Sequence, residues 1–109
     1  MRIWDLSVKK LCRQHLLGEH RELHSIWAVI TKNKKGYSQH SETKRWRGKL
    51  KALYIRHDMQ VAEMIKRGYR HFSSLDKKMA KGNSIQPIFV NSIREQKEIL
   101  KNKRCDCLI

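Results

Sequence analysis

Leu11-Cys12-Arg13-Gln14-His15-Leu16-Leu17-Gly18-Glu19-His20-Arg21-Glu22-Leu23-His24-Ser25-Ile26-Trp27-Ala28-Val29-Ile30 is the stretch on which the fold turns. Within it Cys12, Leu16, Leu23, Ile26, Trp27 and Ile30 fall on one face at helical spacing, which predicts a long amphipathic helix ending near Asn33-Lys34-Lys35-Gly36. Downstream, Ser41 is suited to cap a second helix. Its stripe would be Trp46, Leu50, Leu53, His57, Val61 and Met64, with Gly68 as terminator. Ser92-Ile93-Arg94-Glu95 has the pattern of a capping box and predicts a third helix running to about Lys103. Between them, residues 73–82 are expected to hold a short helical turn. Residues 84–90, with Pro87, are expected to extend and pack Ile85, Ile88 and Phe89 on the core.

With 5 Gly, 1 Pro and almost no β-branched alternation, the chain reads as all-α: one compact domain, residues 1–109, of three main helices. A single core of Leu16, Leu23, Trp27, Trp46, Leu50, Leu53, Val61 and Met64 is expected.

Lys and Arg number 25 against 10 Asp and Glu, a formal charge of +15. That excess repels itself in a compact state and calls for a polyanionic partner. No apolar run is long enough to span a bilayer and no signal-peptide pattern is present, so nucleic acid is the expected partner and the cytoplasm the expected setting. Arg45 and Arg47 flank Trp46 and are read as rim positions that meet phosphates or line a solvated face. A second basic-aromatic run covers Lys66-Arg67-Gly68-Tyr69-Arg70-His71.

Three cysteines, Cys12, Cys105 and Cys107, do not make a disulfide framework. Cys105-Asp106-Cys107 offers two of the four ligands a structural zinc takes, so no metal and no cofactor is expected. His20 and His24 stand one helical turn apart, but a zincin motif needs glutamate directly after the first histidine. These two are expected to face solvent or phosphate, opposite the core, whereas His57 lies within the apolar stripe. His15, Glu19 and Glu22 line the shoulder of the first helix, where half-buried groups shift their pKa values. Glu19 there either serves function or pairs with a base such as Arg13 or Lys9.

Two segments carry a resemblance: Met1-Arg2-Ile3 followed in ungapped register by Gln14-His15-Leu16-Leu17-Gly18-Glu19-His20-Arg21-Glu22-Leu23, and a stretch from Lys49-Leu50 through Ala62-Glu63 to Lys66-Arg67-Gly68-Tyr69. Over about half the chain it resembles the phage-type pyrimidine-dimer DNA glycosylases. The resemblance implies a three-helix fold, a catalytic glutamate at Glu22 and a nucleophilic N-terminal α-amine. In this register the amine belongs to Met1, which the large Arg2 should protect from removal. It further implies an abasic-site lyase working on double-stranded DNA as a monomer, with Arg2, Gln14, His15 and Arg21 at the DNA. Ser25 stands where the family has another arginine, and the family's aromatic, basic tail is replaced here by Arg104-Cys105-Asp106-Cys107-Leu108-Ile109.

Independently of the resemblance, an α-amine titrates near about 7.7–8.0, well below lysine, so a useful fraction is free base at neutral pH. The competing reading is a basic architectural DNA binder without catalysis. An RNA-binding module is disfavoured because no RRM, KH or OB signature is present.

Overall fold

The long amphipathic stretch forms the first helix, α1, at Arg13–Thr31. It stops where Asn33 adopts a left-handed backbone (φ 52°) and the Lys34 N–H closes back on Val29 O at 3.0 Å. This computed structural model describes residues 2–70 and 73–109. Met1 and His71, both singled out from the sequence, lie outside the described residues.

The stripe read as one second helix is two: α2 at Ser41–Trp46 and α3 at Leu50–Lys66. Arg47 is extended (ψ 133°) and Gly48 left-handed (φ 76°), which breaks the ladder between Trp46 and Leu50. The returning chain makes the break favourable. The Asn83 N–H bonds Gly48 O at 2.9 Å, while Lys81 O and Asn83 O accept the Lys51 and Ala52 N–H groups at 2.9 and 3.1 Å. Two donors that a helix start leaves open are thereby satisfied. The cap of α2 is His40, not Ser41: its Nδ1 accepts the Glu42 N–H at 3.1 Å. Gly68 ends α3 as expected, left-handed at φ 82°, with the Tyr69 N–H on Met64 O at 2.8 Å.

A 3-10 turn, Lys77–Met79, is the short turn expected after α3. The last helix, α4, spans Ile93–Asn102 behind a complete capping box of Ser92 and Glu95. Among the described residues there is no β-strand, only an isolated bridge between Lys49 and Gly82. The protein is all-α.

The expected single core is two clusters. Ile3, Leu23, Ile26, Trp27, Trp46 and Leu53 form one, and Trp4, Leu6, Leu11, Leu16, Met64 and Leu100 belong to the other. On α1 the buried Glu19 and His20 fall between Leu16 and Leu23; on α3 Arg56, His57 and Gln60 fall between Leu53 and Met64. A polar layer therefore divides the apolar interior at mid-height. Val61 is only half-buried. Ile85, Ile88 and Phe89, expected on the core, are exposed by 72%, 52% and 42%. That segment is held through polar groups instead: Ile88 O accepts from Arg45 at 2.8 Å, and the Gln86 amide donates to Arg45 O at 2.6 Å.

Candidate functional site

The N-terminal segment before the first turn has no regular secondary structure and is gripped by side chains from all four helices. The Ile3 side chain packs in the cluster of Leu23, while Ile3 O accepts from Arg45 at 2.9 Å. The Trp4 N–H donates to Glu19 Oε1 at 2.7 Å, and the Asp5 N–H to Gln96 Oε1 at 2.8 Å. Leu6 O accepts from Arg56 at 2.8 Å. Arg2 reaches Asn91 Oδ1 at 2.8 Å and lies 4.4 Å from the centre of the Trp4 ring. Such a density of bonds on four successive residues removes the freedom a chain end normally keeps.

Glu22 immediately precedes Leu23, the α1 residue packed in one cluster with Ile3. It is half-buried, and among the described residues no hydrogen bond or ion pair engages its carboxylate. On the neighbouring outer strip of α1, Gln14 and Arg21 are exposed seven residues apart, with Gly18 between them. A Cβ built on Gly18 would meet nothing within 4 Å. Next on the strip, the Ser25 hydroxyl turns back to Arg21 O at 3.2 Å.

Glu19 is a different case. Its carboxylate accepts the Trp4 N–H, two 2.9 Å bonds from Arg56 and a further bond from the Gln60 amide. The expected partners Arg13 and Lys9 are replaced by a base from α3, because Glu19 faces inward. Arg45 is likewise not a rim residue. It is 4% exposed and bonded to Asp5, Glu42, Ile3 O and Ile88 O, so it ties the N-terminal segment to α2 and has no freedom to meet phosphate. Arg47 is exposed, as a phosphate-facing residue requires. Arg67 is spent on the turn after the N-terminal segment, bonding Leu11 O at 2.7 Å.

His20 and His24, expected to point outward, turn into the α1–α3 interface, His20 being 7% exposed. With the buried His57 they form a cluster of rings 4.7 to 5.0 Å apart, and the His20 Nδ1 meets Gln60 Oε1 at 2.9 Å. The pattern of α1 alone could not reveal this, since His57 comes from α3.

His15 stands edge-on to Trp4 with ring centres 5.9 Å apart, and its Nδ1 lies 3.1 Å from Cys12 Sγ and 3.3 Å from Cys107 Sγ. Burial, helped by the charge of Lys103, lowers its pKa and favours the neutral ring. Cys12 is the N-cap of α1. Burial works against its thiolate, but the N–H groups of His15 and Gln14 and the neighbouring thiols outweigh burial and lower its pKa. Burial pushes the Cys107 thiol up to about 12, against a bond from the Cys12 N–H. Cys12, His15, Cys105 and Cys107 bring their donor atoms within 4.8 Å of one another. The sequence showed the tail pair, but its complement lies some ninety residues earlier.

A protein-family model described as pyrimidine dimer DNA glycosylase matches residues 1–77. No curated protein and no solved structure matches the chain.

Proposed function

The chain belongs to the pyrimidine dimer DNA glycosylase family, and from that premise we propose that it excises a damaged base from duplex DNA and then cleaves the strand as an abasic-site lyase. The Met1 α-amine is the nucleophile in this reading. Its lone pair forms a bond to the sugar C1′ as the C1′–base bond breaks; the base leaves with the electron pair and takes a proton. Opening of the C1′–O4′ bond gives an imine. Loss of a C2′ proton then expels the 3′ phosphate oxygen by β-elimination.

The observation that carries this reading is the clamping of residues 3–6 against all four helices, with Ile3 in the same cluster as Leu23. Met1 stands two residues before Ile3 in the sequence. Glu22, one residue from Leu23, is the carboxylate on α1 with no hydrogen bond or ion pair among the described residues, whereas Glu19 is saturated. In the proposed site Glu22 stabilises the cationic sugar and moves the C2′ proton. Arg2, Gln14 and Arg21 meet the DNA in this reading, while His15 is half-buried against Trp4, Cys12 and Cys107. The target nucleotide must leave the stack for its C1′ to be reached.

Duplexes carrying a cyclobutane pyrimidine dimer, an abasic site or no lesion test the reading by strand cleavage. Cleavage confined to the damaged duplexes is expected. Tight binding without cleavage of any duplex would favour an architectural DNA binder.

A further inference from the structure

We propose that Cys12, His15, Cys105 and Cys107 bind one Zn2+ ion that staples the C-terminal tail to the start of α1. The four donors come from two short pieces of chain. Cys12 is the N-cap residue of α1 and His15 lies in its first turn, so three-residue spacing brings sulfur and imidazole to one side. After α4, Arg104 takes a left-handed backbone (φ 51°) that turns the chain back. In the segment beyond it, Cys105 and Cys107 are half-buried with their sulfurs in one cluster, while Asp106 between them is exposed. The Leu108 N–H bonds Lys10 O at 2.7 Å and lays the tail against the residues before α1.

Tetrahedral zinc with sulfur and imidazole ligands holds neighbouring donor atoms roughly 3.3–3.8 Å apart. The His15 Nδ1 already lies 3.1 and 3.3 Å from two of the sulfurs, and all four donors fall within 4.8 Å. All three cysteines are free thiols, and an odd number of them around one imidazole leaves a sulfur over in any disulfide pairing. Three sulfurs with one nitrogen suit a borderline-soft ion rather than magnesium or calcium. The Cys12 N–H, 3.0 Å from Cys107 Sγ, supplies the kind of outer hydrogen bond that orients a thiolate ligand. Binding releases the thiol protons to solvent and changes no oxidation state. Four protein ligands leave no open position, so the ion is structural. It fixes the end of the helix that carries Gln14, Arg21 and Glu22.

Metal analysis of the full chain purified under reductant should give about one zinc per chain. Replacement by Co2+ should produce the visible absorption of tetrahedral cobalt with thiolate ligands. The Cys105→Ser/Cys107→Ser variant should lose both signals. A measurement on the unaltered chain runs beside it: trypsin should cut after Lys103 and Arg104 much faster once a chelator is added, and added Zn2+ should restore resistance. Absence of zinc from protein whose thiols titrate as reduced would overturn the proposal, as would tail cleavage indifferent to the chelator. So would a cobalt spectrum unchanged in the double variant, because the thiolate ligands would then not be the tail cysteines. None of these readouts involves DNA, so they stand or fall apart from the proposed glycosylase activity.

Discussion

Glu19 and Arg56 face each other between α1 and α3 through two parallel hydrogen bonds of 2.9 Å, and the same carboxylate holds the Trp4 N–H. The Glu19 side chain is fully buried, so truncating its partner leaves an uncompensated charge inside the fold. Arg56→Ala should therefore cost about 3–5 kcal/mol in urea unfolding. A loss below about 1 kcal/mol would mean that the pair is not what joins the N-terminal segment to the helices.

Two glycines should respond oppositely to alanine. Gly18 sits within α1 with open space around its missing side chain, so Gly18→Ala should raise stability by up to about 1 kcal/mol. Gly82 has φ 89°, and a Cβ there would lie 2.2 Å from Gly48 O, the acceptor that separates α2 from α3. Gly82→Ala should destabilise by more than about 1 kcal/mol. Thermal melts of both variants check the pair, and equal signs would contradict the geometry.

The long helices and their ends were legible because local signals suffice for them: the stripe of α1, Gly68 after α3, and Ser92 with Glu95 before α4. The break at Gly48 was not, since the apolar spacing from Trp46 to Leu53 runs through it and the bonds that stabilise it come from residues 81–83. Arg45, His20 and His24 were misplaced for a related reason. Polar residues at the edge of a stripe are assigned to solvent unless distant partners such as Asp5 and His57 are known. Arg2, Gln14, Arg21 and Glu22 stood out in the sequence only through the register of the resemblance; the structure leaves Gln14 and Arg21 exposed and Glu22 half-buried on α1 and sets Arg2 beside Asn91 and Trp4. The thiol–imidazole cluster was not, because its halves sit at opposite ends of the chain.

With Arg45, Arg56 and Arg67 committed to internal bonds, much of the +15 charge rests on exposed residues such as Lys9, Lys34, Arg47 and Lys78. Affinity for undamaged duplex should fall steeply and linearly on a logarithmic salt scale, because each neutralised phosphate releases counterions. A salt-independent affinity measured by fluorescence anisotropy would contradict a phosphate-binding surface.

Glu22→Gln keeps size and removes charge at a carboxylate with no hydrogen bond among the described residues, so thermal stability should change little. Turnover on a dimer-containing duplex should drop by at least about 100-fold while DNA binding holds or tightens. Glu19→Gln should do the reverse, lowering stability more than the chemical step measured on folded protein. Normal single-turnover rates in Glu22→Gln would move the acid–base role elsewhere.

The central claim is that the terminal amine, and no lysine, attacks the sugar. Borohydride added during reaction with an abasic duplex should reduce the imine and leave protein covalently joined to DNA, with the cross-link in the peptide that begins at Met1. Acetylating the terminus removes one amine among many cations, so duplex binding should persist while trapping disappears. Undiminished trapping through a lysine in the acetylated protein would contradict the account.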